Sequence, residues 1–423
     1  MHIITRIKNF FIRKPPVEVD LPVVFGISRG VPIYTYVDRS NLDERFRYLL
    51  GKDTHIVIHG ASKQGKTVLR KKNLSEANTV VVQCSIGRKI DDIYNEFLLS
   101  IGVNRPRQIR RASSASVEGE VAVTSPVGQL SSKMEMTDEE DVLSDVVGTD
   151  SLKYLATKIR ESGKRIVIED FHYLSEEEQR RMAFDLKALW DLGIFSVIVG
   201  VWAEQNLLAY YNGDLSGRVE EIDIQWSDYD LRKVITKGEQ VLNVRFSDRI
   251  RATILEDANQ NVGLLQRIIE KYCYYAGVHK TQENQRVLSD EKPLHQAREV
   301  ICKEEERRYQ QFFDAIQRGY RDSELKVYKH VLRVISEADD EELKAGIPRD
   351  KLLQRVNQYE DRIRLSDLSA ALNKLNKLQV DRQVSPLVLS YNSITSAPNL
   401  QLVDREFLFF RKYGHPSWPW TNE

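Results

Sequence analysis

The chain is 423 residues long, beyond the roughly 250 residues at which a single core stops growing, so two or three domains are expected. Lys+Arg 62 balance Asp+Glu 62, which excludes a globally basic chain drawn onto nucleic acid or anionic lipid and leaves only local contacts of that kind. Hydrophobic residues at 41% and charged residues at 29% are an ordinary globular balance.

Three cysteines, Cys84, Cys273 and Cys302, lie too far apart for a metal-ligand cluster or a disulfide framework. No apolar stretch approaches the roughly 18 residues needed to cross a bilayer. A reduced, cytoplasmic setting with no transmembrane segment is expected.

Residues 1–35 read as an N-terminal arm. Its first fourteen residues pair Ile3, Ile4, Ile7, Phe10, Phe11 and Ile12 with Arg6, Lys8, Arg13 and Lys14, and lack the cleavage site of a signal peptide. They are expected to pack on their own domain, the alternative being an amphipathic helix on a partner or membrane surface. Residues 15–35 read as irregular.

An α/β unit is expected over residues 36–226. A helix over 39–50 is followed by the strand HIVIH (55–59), the strand TVVVQC (79–84) and a helix over 90–101. Residues 104–149 change composition to Ser, Arg and small residues with an acidic run, and read as an insertion, hairpin or disordered. A helix over 151–161, the strand RIVI (165–168), a helix over 175–192 and a strand over 195–201 then resume the alternation. Such alternation predicts a parallel sheet covered on both faces.

Residues 227–321 read as a purely helical lid. Residues 322–412, with helices over 324–337, 349–357 and 366–380 and two β-rich runs over 384–391 and 400–410, predict a winged helix-turn-helix. Residues 413–423 form a tail with Trp418 and Trp420 among prolines, expected to fold back onto that domain. In the third helix Leu368, Leu372, Leu375 and Leu378 should face inward, and Asn373, Lys374, Asn376 and Lys377 outward. Two lysines opposed by Asp361 and Asp367 are a thin footprint for DNA, which is possible as a ligand but not favoured.

The strongest signal is GASKQGKT, Gly60 to Thr67. It matches G-x-x-x-x-G-K-[ST] between a strand and a helix. Gly60, Ala61, Ser62, Lys63, Gln64, Gly65, Lys66, Thr67 and Val68 are the candidate nucleotide-binding residues. The glycines let backbone N–H groups turn toward phosphate oxygens at a helix N-terminus. Lys66 supplies a charge for the outer phosphates, and Thr67 offers a hydroxyl to Mg²⁺. Such a cradle needs an acid at a neighbouring strand end, and RIVIED supplies Glu169 and Asp170. Glu169 is assigned to Mg²⁺ and Asp170 to activation of the attacking water, although the usual order puts Asp first. No guanine-reading stretch is present, which favours ATP. His172, beside the acids, is expected to be a packing residue, with nucleotide sensing as the alternative.

With these motifs the chain resembles the AAA+/STAND signalling ATPases, near the replication-initiator-like branch. YVDRSNLDERF (Tyr36 to Phe46) is similar to that family's box beside the adenine, with Asp38 in place of its Gly. FSVIVGVWAE resembles its sensor strand, with Trp202 near the place of a polar sensor. DLSGRVEEIDI resembles the segment whose arginine acts on the γ-phosphate, which nominates Arg218. The lid segment ANQNVGLLQRI has Arg267 displaced from the place of the family's nucleotide-reaching arginine.

The resemblance implies an α/β P-loop NTPase with a helical lid and a C-terminal winged helix. It also implies an ATPase with ATP and Mg²⁺ as cofactors, acting as a switch. Its nucleotide state would control assembly as a homo-oligomer or engagement of a separate effector or partner protein, in bacterial defence or stress signalling. The alternative is an initiator- or loader-like ATPase acting on duplex DNA.

Overall fold

The computed structural model describes residues 18–27, 29–39, 41–103, 149–202, 205–319, 324–393, 398–418 and 420. The first part of the arm and the expected insertion, apart from Thr149, lie outside the described residues.

A short helix α1 (Leu21–Phe25) precedes α2 (Leu42–Leu50). The α/β unit follows as β1 (His55–His59), α3 (Lys66–Asn73), β2 (Thr79–Gln83), α4 (Ile90–Ser100), α5 (Thr149–Ser162), β3 (Arg165–Glu169), α6 (Glu176–Asp191), β4 (Val197–Val199), α7 (Leu207–Tyr211) and β5 (Val219–Asp223). The five strands form one parallel sheet in the order β2-β3-β4-β1-β5. Parallel strands need crossovers, so helices cover both faces and β1 reads as a continuous buried run.

The period-two alternation sorts the two faces. Ile56, Ile58, Val167, Val197 and Val199 pack with Phe46, Leu49 and Leu69 of α2 and α3. Val57, Ile166, Ile168 and Ile198 face α4, α5 and α6. All strands point the same way, so the loops at the carboxyl ends of β1, β3, β4 and β5 share one edge. That edge is where the loop and the two acids lie, whereas Arg218 does not.

The rest of the chain comprises α8 (Asp228–Leu242), β6 (Val244–Phe246), α9 (Asp248–Ala258), α10 (Val262–Tyr275), β7 (Arg286–Leu288), α11 (Lys292–Arg318), α12 (Val327–Glu337), α13 (Asp340–Ala345), β8 (Ile347–Pro348), α14 (Arg349–Val356), α15 (Leu365–Asn373), α16 (Leu375–Asp381), β9 (Leu389–Asn392), β10 (Asn399–Leu402) and α17 (Glu406–Tyr413). The lid and the C-terminal third share one continuous apolar core, from Leu231 and Ile268 through Phe312 to Leu368 and Phe407. The 27-residue α11 runs between them. Trp418 stacks on Trp420 and packs on Phe313 of α11, so the tail does fold back.

Four local expectations need correction. Residues 15–35 are not wholly irregular: α1 buries Leu21, Val24 and Phe25 in the lid core. The lid is not purely helical, because β6 and β7 pair in parallel. The third C-terminal helix breaks at Lys374 into α15 and α16, with Leu368, Leu372, Leu375 and Leu378 still buried. The run 400–410 is a strand only to Leu402. Asp404 then accepts the Glu406 N–H and starts α17, which sets Phe407 and Phe410 one turn apart against Tyr309. A short apolar run fits either period, and packing on α11 decides it.

Gly238 sits inside α8, where glycine costs about 1 kcal/mol relative to alanine. Its reason is close approach: a Cβ there would lie 1.9 Å from Cζ of Phe25. Gly238→Ala should therefore lower stability by about 1–3 kcal/mol through overpacking. Chemical denaturation of both proteins measures this, and an unchanged midpoint would show that the arm is loosely seated.

Candidate phosphate-binding site

The loop from Gly60 to Gly65 leaves β1 and enters α3. Gly60 adopts φ +132°, and a Cβ there would lie 2.7 Å from the Ile224 carbonyl oxygen and 3.3 Å from Oδ1 of Asp223, so both backbone and space require glycine. The first glycine is thus pressed against the end of β5. Its N–H donates to the Trp202 carbonyl just beyond β4 at 3.2 Å. Gly65, at φ +83°, caps α3 in the left-handed region. A loop so turned aims its later amides at the helix axis.

Lys66 lies at the start of α3 and is only 8% exposed. Its ammonium donates to the carbonyls of Gly60 (3.1 Å) and Ala61 (2.6 Å). Burial pushes its pKa down to about 7, against the opposing pull of Asp170 and Asp223. A buried cation resting on two neutral carbonyls is incompletely compensated. Phosphate oxygens would complete it, so these residues fit a nucleotide. Thr67 and Val68 lie half-buried on the first turn of α3.

The two acids have different surroundings. Glu169 ends β3 on the face of Val167 and meets α3, where Oε1 accepts from both Nε (3.0 Å) and Nη2 (2.8 Å) of Arg70. The pair is buried, with Arg70 at 3% and Glu169 at 6% exposure. Asp170, in the left-handed region at φ 58°, is half-buried. Burial and then Glu169 raise its pKa, while Lys66 lowers it. The structure therefore brings Asp170 to Lys66 and ties Glu169 to a guanidinium.

Arg218 is elsewhere. It precedes β5 at the end of the sheet opposite the loop, where its carbonyl accepts the His55 N–H. Its guanidinium lies 4.7 Å over Trp190 and donates to the Asp214 carbonyl. It does not reach the phosphate loop of its own chain.

Other residues meet the loop in roles the sequence did not assign them, some within the segments of family resemblance. Arg39 donates to the Gln64 carbonyl (3.1 Å), as does Trp226 Nε1 (3.1 Å), and its guanidinium stacks 4.0 Å over that indole. Burial lowers the Arg39 pKa to about 10. The N-terminus of α10 also touches the loop. Asn261 Nδ2 donates to Ser62 O (3.2 Å), and the Gly263 N–H donates to Lys63 O (3.2 Å). A Cβ at Gly263 would meet the Lys63 Cβ at 2.9 Å. Gln64 Nε2 donates to Gln260 O at 3.1 Å.

The C-terminal third reaches the same loop. The Ser62 N–H donates to Val403 O (3.0 Å), and Lys63 Nζ donates to Glu406 Oε2 (2.5 Å). Glu406 Oε2 also accepts from Arg267 (3.2 Å), whose other bonds go to Glu304 and Glu305. Arg267 is thus turned toward α11 and Glu406. The Glu406 pKa is raised by its burial and by Asp404, whereas Lys63 and Arg267 lower it. Asp223 could have been sought by asking what aligns with His59 across β1 and β5, whereas no local pattern marks the Lys63–Glu406 contact.

Asn376, expected to face outward, is held by the neighbouring sheet instead. Its Nδ2 donates to Ser390 Oγ (3.2 Å) and its Oδ1 accepts the Tyr391 N–H (3.4 Å).

Two outcomes follow. Removing one partner of the buried Arg70–Glu169 pair leaves an uncompensated charge, so Arg70→Met should cost about 3–5 kcal/mol, whereas Arg70→Met with Glu169→Met should recover most of it. Denaturation of the single and double variants measures this. For Lys66, the sign is that of a depressed lysine: between about 7 and its ordinary 10.5 the unfolded chain holds a proton that the folded chain has lost. Stability of the ligand-free chain should rise with pH across that window, and a phosphate ligand should take up a proton on binding. Calorimetry at pH 8 in two buffers of different ionisation enthalpy measures the uptake, which Lys66→Met should abolish.

No protein-family model matches the chain, and no curated protein matches it in sequence. Among solved structures it resembles the Walker-type ATPase of Pyrococcus abyssi at 13% identity, TM-score 0.50, over 92% of this chain and 99% of that one. It also matches the Aeropyrum pernix Orc1 protein in complex with DNA at 9% identity and TM-score 0.43, over 94% and 96%. A third match is a STAND protein with a tetratricopeptide repeat sensor from Pyrococcus horikoshii, at 13% identity and TM-score 0.38, over 90% of this chain and 43% of that one. With its parallel sheet, its loop and its full-length match to the Walker-type ATPase, the chain has the fold of a P-loop ATPase.

Proposed function

We propose that the protein binds and hydrolyses ATP with Mg²⁺, and that its nucleotide state sets how its C-terminal third sits and hence whether it assembles or engages a partner. The observation that carries this is the clamp on the loop. Ser62, Lys63 and Gln64 are held at once by the lid (Gln260, Asn261, Gly263) and by Val403 and Glu406. A ligand that reorders the loop must strain or release those bonds.

Gly60 to Val68 would hold the phosphates, with Lys66 moving its ammonium from the Gly60 and Ala61 carbonyls to the outer phosphate oxygens. Mg²⁺, when bound, would neutralise charge between the outer phosphates, with the Thr67 hydroxyl and the Glu169 side as its protein neighbours. Arg70 fixes the orientation of Glu169. Asp170, with a pKa raised by burial, is suited to accept the proton of an attacking water. The water oxygen bonds to the terminal phosphorus as the bond to the bridging oxygen breaks, giving ADP and inorganic phosphate. Arg218, remote from its own loop, is assigned to the site of a neighbouring copy, where a guanidinium stabilises transition-state charge. That assignment couples turnover to a homo-oligomer. No helix among the described residues is long and apolar enough to cross a membrane.

Light scattering of wild type, Lys66→Ala and Arg218→Ala, each with and without Mg-ATP, tests the assembly claim. ATP should increase the mass of wild type and Arg218→Ala but not of Lys66→Ala, while Arg218→Ala loses turnover by at least tenfold. Constant mass in wild type would remove self-assembly and leave engagement of a separate partner.

A further inference from the structure

His172 belongs to the short 3-10 turn Phe171–Tyr173 that follows the acids. Its Nδ1 accepts the Val201 N–H at 3.2 Å, beyond the end of β4. A nitrogen that accepts a hydrogen bond carries no proton, so a neutral ring has its proton on Nε2. Nε2 is buried and has no hydrogen-bond partner among the described residues. Burial, and then the nearby Lys66 ammonium, push the pKa down to about 3, so the ring is a neutral donor over the working pH range. A buried donor left without a partner has lost its hydration for nothing in return, and such groups call for an explanation.

The location supplies one. Phe171 packs edge-on against Trp202 at 5.9 Å, and the Trp202 carbonyl holds the Gly60 N–H. The Val201 N–H that His172 accepts is one residue before Trp202, so His172 is tied both to the acid turn and to the segment that holds the first residue of the loop. The Lys66 ammonium is close enough to act on the His172 ring, so the ring lies beside the charge that the loop would offer to the outer phosphates.

We propose that His172 Nε2–H is a binding group for the terminal phosphate of a nucleoside triphosphate, so that His172 distinguishes tri- from diphosphate. The inference rests on the nucleotide-binding reading above. A neutral donor suits this task, because it recognises the phosphate oxygen without adding a second charge beside Lys66.

The competing role is structural: the ring only receives the Val201 N–H and fills space. Two amides separate the roles. Asn places its carbonyl near the position of Nδ1 and keeps the Val201 contact, but has no donor at the reach of Nε2. Gln extends a donor to that reach. Titration calorimetry with Mg-ADP and a non-hydrolysed Mg-ATP analogue on wild type, His172→Asn and His172→Gln gives the ratio of the two affinities. His172→Asn is expected to weaken the triphosphate about tenfold and the diphosphate by less than twofold, with His172→Gln close to wild type. Equal changes for both nucleotides, or none in His172→Asn, would overturn the proposal while leaving nucleotide binding intact. Wild type that binds neither nucleotide would overturn the underlying reading as well.

Discussion

A buried ammonium on two of its own loop carbonyls is an arrangement that few ligands can improve, and much of this structure is built to hold it. Lys66 loses most of its hydration, and its depressed pKa reflects that loss. The compensating charges are Asp170 from the end of β3 and Asp223 from the end of β5, on opposite sides of β1 in the sheet order. Their placement follows from topology alone: a parallel sheet brings every carboxyl-terminal strand end to one edge. An anion rich in oxygen, such as a polyphosphate, relieves Lys66 far better than carbonyl dipoles do.

The loop that carries Lys66 cannot move alone. Its backbone is bonded to Arg39 and Trp226 near the start of the α/β unit and the lid, to Asn261 and Gly263 at the start of α10, and to Val403 ahead of α17. Lys63 adds an ion pair to Glu406, which is 1% exposed. Behind Glu406 stand Arg267 and, through Asp404, Arg308 and Tyr309 of α11. A second bridge runs from Tyr173 to Ser385 at 2.6 Å. The lid and the C-terminal third share one apolar core, so the bonds at Ser62–Gln64 tie the loop to that whole unit rather than to one neighbouring segment.

Much of this was legible in the chain. HIVIH was read with its exact bounds, and TVVVQC and RIVI to within one residue, because buried parallel strands are continuous apolar runs between turn signals. The loop motif read correctly because its glycines answer a backbone demand that few other sequences meet. What failed had one cause: the deciding partner was distant. LVDREFLFF looks β-like until Tyr309 and Phe313 of α11 are in place. Lys63 and Glu406 stand 343 residues apart, and no local pattern marks either. The pairing of Glu169 with Arg70 was not legible either, because Arg70, one turn beyond Thr67, carries no signature beyond being basic. A strand-end acid and a helix cation were both visible, but not that the face of Val167 would bring them together.

The exchange of Asp-first for Glu-first in the acid pair gains a physical meaning from this arrangement. In β3 the residue at position 169 shares a face with Val167 and so with α3, where a carboxylate on a two-carbon stem reaches Arg70. A shorter aspartate there would fall short of the guanidinium and leave both charges buried and unpaired. The following residue, outside the strand, turns through the left-handed region and comes near Lys66. Chain direction thus places the longer acid in a buried pair with Arg70 and the shorter acid near Lys66. Asp170, His172 and Tyr173 then sit on one short turn that lies near Lys66 and bonds to Val201 beyond β4 and to Ser385 of the C-terminal third.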